Sequence, residues 1–242
     1  MTSSRAILTS LLVTATAALA AFAIGVWWTT PPDAEFFFWL GACFVSEVLW
    51  IRLPLDRVTV SMASAINFAA VLLLMPGEAM AVAAFASLPA EILFMRKPPI
   101  RAFYNAGQIT LAVGGASLVL HYANVATPAL TIGHPQLAFL PLLAAAAVYY
   151  LINRGAVSMI VALNRGIGLA AAWIENFGNP CDLPVSGAAL SIGAMLAFVY
   201  LHSGMVAVTL VIFPLMVACD GYRRYLAGRA KLDPDDVERR AA

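Results

Sequence analysis

Charge is scarce in this chain, and the scarcity excludes most soluble folds. Of 242 residues, 11% are Asp, Glu, Lys or Arg and 62% are hydrophobic, whereas soluble domains run to about a quarter charged and about half apolar. Cysteine is equally thin. Cys43, Cys181 and Cys219 form no CxxC pair, so a disulfide framework is excluded and the three read as packing residues or reduced thiols. Catalytic signatures are missing too. No HExxH, GxSxG, P-loop or helix-opening GxGxxG occurs, and no His/Cys cluster has metal-ligand spacing. No catalytic residue, no metal site, no enzymatic activity and no nucleic-acid partner is expected, and no cofactor is identifiable. His121, His134 and His202 fall on one side of the chain's topology without ligand spacing. No long polar stretch interrupts the chain before the tail at 223–242.

What the chain has instead is a succession of apolar runs. Eight of them, 6–28, 36–51, 58–75, 79–95, 102–121, 137–163, 185–201 and 204–219, approach the roughly 20 residues a helix needs to cross a bilayer. The first exceeds the roughly 7–15 residues of a signal-peptide core and ends on Trp27-Trp28 as an interfacial anchor. The third opens on the β-prone VTVSMAS; inside lipid that propensity should yield to helix, because only helices and closed barrels satisfy their backbone there. Residues 166–177 are apolar but too short to span and fit an interfacial segment. With the N-terminus inside, Arg5, Arg52, Arg57, Arg96, Lys97, Arg101, Arg165 and the six basic tail residues all face the cytoplasm, and no Lys or Arg falls in an outer loop. The expectation is an all-α, polytopic transmembrane bundle of about eight helices, both termini cytoplasmic, in the bacterial inner membrane. Residues 1–222 form the membrane domain and 223–242 the cytoplasmic tail.

One stretch is repeated. SEVLWIRLPLDR at 46–57 returns 44 residues later as AEILFMRKPPIR at 90–101, aligning Glu47 with Glu91, Arg52 with Arg96, Pro54 with Pro98 and Arg57 with Arg101. Each copy ends an apolar helix that carries one carboxylate, so the repeat implies two parallel hairpins. An acid within a membrane helix is costly unless partnered, and so marks a candidate site. Both acids lie about one turn from the inner ends of their helices, where the helix dipole opposes a negative charge; Arg52, Arg57, Arg96, Arg101 and Arg154 are the cations available to compensate. Asn105, Gln108, Asn153, Arg154 and Asp220 fall in the same inner layer, with Asn67 somewhat deeper. These eight residues make either a polar cavity, with Arg154 answering the acids and holding an anionic ligand, or a polar brace that locks the helices together.

SEVLWIRLP, VTVSMAS, the Pro76-Gly77 turn and RAFYNAGQ (Arg101, Tyr104, Asn105, Gln108), with YYLINR at 149–154, resemble the multi-helix membrane regions that precede HD-GYP and GGDEF domains in bacterial signalling proteins. The resemblance implies a sensor-like membrane module whose signal is unknown. Two departures stand out: Arg154 replaces a small or hydroxyl residue, and the HD-GYP and GGDEF motifs are missing. The expectation is therefore a stand-alone sensor module that binds a small ligand or partner near its cytoplasmic face and signals through a separate protein. Two alternatives remain. One is a transporter or substrate-binding subunit similar to the S components of energy-coupling-factor transporters, which the repeat would suit. The other is a structural scaffold. In each case the lipid bilayer is the first partner.

Overall fold

The computed structural model describes residues 3–29, 31–49, 51–52, 59–60, 62–123 and 135–232. Trp50, Pro54, Arg57, His134 and the tail from 233 lie outside the described residues. Long helices dominate, with one short β pairing. Helix α1 (Ser3–Trp27) is apolar around its whole circumference and is followed by α2 (Ala34–Val48). The Asp33 carboxylate caps α2 by accepting from the Phe36 N–H at 2.9 Å.

Where the sixteen-residue second span was expected to run on to 51, α2 stops at Val48. Ile51–Arg52 (β1) then pairs antiparallel with Thr59–Val60 (β2), Ile51 opposite Val60 and Arg52 opposite Thr59. The β-prone VTV is not overridden after all. A hairpin pairs its own N–H and C=O groups, and backbone satisfaction constrains only what lies exposed in lipid. Helix α3 (Ala63–Leu73) consequently starts five residues later than expected and has 11 residues.

Pro76 opens α4 (Pro76–Pro89), a first-turn position where its missing N–H costs nothing, and the Glu78 carboxylate accepts from the Met75 N–H at 3.2 Å. Then come a π-helical turn (Ala90–Phe94), α5 (Pro99–Tyr122), α6 (Pro135–Arg165), the short α7 (Leu169–Phe177) and α8 (Asp182–Leu232). The seventh and eighth expected spans run together as α8, broken at Gly204, whose φ of 74° no other residue type adopts comfortably. Four stretches among the described residues are long and apolar enough to cross a membrane: Ser4–Trp27, Pro76–Phe94, Phe139–Arg165 and Asp182–Ala218. That corrects the expectation of eight clear spans: α2 and α3 are short, and α5 is too polar over its first turns.

Helix α5 sits centrally, against α4, α6 and α1. Glycines permit the approach: a Cβ at Gly114 would strike Met80 of α4, one at Gly115 Ile152 of α6, and one at Gly107 Thr16 of α1. Helix α3 packs on α8, where Gly193 passes close to the Ala65 carbonyl. Trp39, Ile66, Phe68, Leu72, Met80 and Leu120 fill the interior. Large apolar side chains on the periphery, such as Phe22, Leu140, Val206 and Leu210, are about 70% exposed. Apolar surface on that scale is tolerable only against lipid or a partner, and with the four spans it makes this a membrane protein.

The two ends of the bundle differ in charge. At one, Trp27 meets the His121 ring, Trp28 lies beside Phe36, and Glu35 bonds Tyr200 near Asp33 and Glu78. At the other, the Arg5 guanidinium reaches the Arg165 carbonyl and the Thr9 hydroxyl donates to Asn164 at 3.1 Å.

Candidate functional site

The site begins with Pro89. A proline inside a helix has no N–H to give and crowds the carbonyl four residues back, here that of Phe85, and the α geometry of α4 ends at this residue. The next turn widens: the Met95 N–H donates to the Ala90 carbonyl at 3.1 Å, five residues back, and the Lys97 N–H to the Glu91 carbonyl at 3.0 Å, six back. Arg96 closes the turn with φ 50°, in the left-handed region that costs a non-glycine residue free energy. Pro98 and Pro99 then start α5. π turns and such backbone outliers occur disproportionately at functional sites.

This winding folds Lys97 back onto Glu91. The Lys97 ammonium stands 2.7 Å from the Glu91 carboxylate, and the Asn105 amide of α5 donates to both carboxylate oxygens at 2.9 and 3.0 Å. Glu91 is nearly buried, and with these donors its charge is answered. Glu47 lies elsewhere in the same interior and accepts from the Ser87 hydroxyl of α4 at 3.0 Å; Glu91 and Lys97 act on it electrostatically. The two copies of the repeat therefore fold differently. The first leads into a β hairpin and the second into a π turn, so the expected pair of equivalent hairpins does not form.

Arg154 is not where the sequence reading put it. It answers neither Glu47 nor Glu91. Its guanidinium bonds the Asp182 carboxylate and the Ser186 hydroxyl, each at 2.9 Å, and lies 4.6 Å from the Phe177 ring centre. The Tyr150 hydroxyl donates to the other Asp182 oxygen at 2.9 Å. One ion pair thus ties α6, α7 and the start of α8 together. Asn153, the neighbouring residue on α6, is half-buried.

The other expected members are dispersed. Asn67, fully buried on α3, accepts from the Cys43 thiol at 3.1 Å, and its amide nitrogen has no protein partner among the described residues. Gln108 is buried on α5 with its carbonyl oxygen likewise unpartnered. Asp220 is half-buried beyond the Gly204 break in α8. Of the eight sequence candidates, Glu91 and Asn105 are brought into direct contact. Lys97, Ser87, Asp182 and Ser186 were missed.

Beside the Glu91 cluster is a cavity of about 1100 Å³, walled by α1, the end of α2 at Val48, α5, α6 and the π turn. Its polar lining includes Lys97, Arg101, Arg165, Asn105, Asn164 and Thr9; its apolar lining includes Val13, Phe94, Ile100 and Val161. No acid lines it. Tyr104, also on the wall, is fixed by donating to the Ala156 carbonyl of α6 at 2.6 Å. Ligand sites of about 300–1,000 Å³ with apolar walls and a few convergent polar groups are the common pattern, and this cavity matches it at the upper end of size. On its rim, Arg165 pairs with Glu175 of α7.

The MASE9 family model, which describes membrane-associated sensor domains, matches residues 10–222, from α1 across most of α8. Neither an HD-GYP nor a GGDEF domain is among the matches. No curated protein and no solved structure matches the chain.

Proposed function

We propose, starting from the fact that this chain belongs to the MASE9 family of membrane-associated sensor domains, that the basic end of its bundle binds a small ligand. The module then passes occupancy to a signalling partner at the cytoplasmic face. The observation that carries this reading is the Glu91–Lys97–Asn105 cluster, held by a π turn on the wall of the 1100 Å³ cavity. A brace needs no cavity beside it, and a strained turn is a feature a ligand can relax or reinforce.

Orientation is part of the proposal. Arg5, Arg96, Lys97, Arg101 and Arg165 belong to the end of the bundle read here as cytoplasmic, and Asp33, Glu35 and Glu78 to the opposite one, the pattern the positive-inside rule produces. In this arrangement α1 to α6 and the two legs of α8 make eight crossings, α7 lies along the interface, and α8 leads towards the partner. The transporter alternative loses the repeat as a support, since the two copies fold differently.

Native mass spectrometry of gently purified protein tests the reading. A small molecule should remain bound to the parent and be lost from an Asn105→Leu variant that melts normally. Parent protein free of any adduct across several mild detergents would overturn it.

A further inference from the structure

We infer that the cavity's ligand is a singly anionic amphiphile: one acidic headgroup on an acyl chain. This rests on the proposed ligand site and names its chemistry.

The charge balance comes first. Among the described residues, three cations line the cavity and no acid does. Lys97 is matched by Glu91 and Arg165 by Glu175. Arg101 has no acid partner among the described residues, and it stands in the first turn of α5, where the helix dipole adds positive potential. One uncompensated positive charge calls for one negative charge. A nucleotide or other polyanion would leave charge unmatched against an apolar wall.

The wall supplies the second half. Val13, Phe94, Ile100 and Val161 offer no hydrogen bonds, so they suit a chain of methylenes. Neutral donors sit beside them: Asn164 accepts from Thr9 through its oxygen, which leaves its amide N–H groups to donate. A basic pocket between membrane helices at the cytoplasmic side is also where anionic lipid headgroups settle. Free fatty acid anions and phosphatidylglycerol share this chemistry.

The test uses the full chain in mild detergent, titrated with palmitate, phosphatidylglycerol, phosphatidylcholine, hexadecanol and inorganic phosphate, with binding read by native mass spectrometry. Palmitate or phosphatidylglycerol should bind saturably at one per chain, and whichever binds more tightly identifies the source. Arg101→Gln should weaken that binding about fivefold or more, on the scale of one basic residue at a charged lipid surface, and Arg101→Lys should restore most of it. Val161→Trp, which fills the cavity without touching a charge, should abolish binding while the melting temperature holds. Hexadecanol or phosphatidylcholine binding as tightly as the anions would overturn the headgroup assignment, and phosphate binding as tightly as palmitate would overturn the chain. Either result leaves the ligand site standing with another ligand class. Failure of every probe, together with parent protein that carries no adduct, would remove the site itself.

Discussion

Replacing Arg154 with alanine separates the two accounts of what this residue does. Its guanidinium is about one-quarter exposed and the Asp182 carboxylate 7% exposed. Breaking a buried ion pair by removing one partner costs about 3–5 kcal/mol, because the remaining charge is stranded. Here the Tyr150 hydroxyl still donates to Asp182, so Arg154→Ala should fall near the lower limit, about 3 kcal/mol. Asp182→Asn should cost less than Arg154→Ala, since the amide keeps an acceptor for Arg154 and Ser186 remains. The double change Arg154→Met with Asp182→Leu removes both charges, and pairs replaced in that way range from neutral to more stable by about 1–4 kcal/mol. It should therefore be more stable than Arg154→Ala alone. Equilibrium unfolding in mixed micelles of mild detergent and dodecyl sulfate measures all three. The geometry also fixes what should not happen: Glu47→Gln and Glu91→Gln should give no rescue of Arg154→Ala, since neither acid touches it. Parent-like stability of Arg154→Ala, or rescue through Glu91, would refute the reasoning.

Substitutions at three further positions test the backbone arguments. A Cβ at Gly77 would collide with the main chain of Trp27 and Trp28, whereas one at Gly25 meets nothing within 4 Å. Gly77→Ala should therefore cost about 1–3 kcal/mol as overpacking, and Gly25→Ala should stabilise by about 0.4–1 kcal/mol, both read from the same unfolding titration. Arg96 holds a left-handed φ of 50°, so Arg96→Val should destabilise by about 1–2 kcal/mol while Arg96→Gly stays near the parent; equal losses in the two would show that the Arg96 side chain, not its backbone, matters.

The spans were legible because lipid leaves the backbone so few choices. Apolar run length located nearly every helix, although four of them are long and apolar enough to cross a membrane among the described residues, and the short segment at 166–177 holds α7. Residues that look alike in sequence proved harder to place. The pairing of Ile51–Arg52 with Thr59–Val60 has a signal in the β-branched VTV, which points to helix only if the stretch lies in lipid. Asp182 lies in a polar stretch that looks like loop, although an acid two residues before Pro184 is a helix-start signature; its partner Arg154 is 28 residues away, a separation no local pattern spans. Glu91 and Asn105 were found because depth alone placed them in one layer. Lys97 was not, since a residue six positions along a regular α-helix points well away from its starting face.

That last failure identifies what sets the second copy of the repeat apart. Aligned at a spacing of 44, Pro89 stands opposite Val45 and Lys97 opposite Leu53. In the first copy α2 runs with α geometry to Val48, and among the described residues Glu47 accepts from the Ser87 hydroxyl. In the second copy α geometry ends at Pro89, and the chain after it widens into the π turn and carries position 97 back over Glu91. The acid is common to both copies, but the π turn and the lysine act as a unit: the turn alone would bring a leucine to the carboxylate, and the lysine alone would be carried off along a regular helix. Phe94, Met95, Lys97, Ile100 and Arg101 of that copy line the cavity, against Val48 of the first, which is why we place the ligand there and not at Glu47.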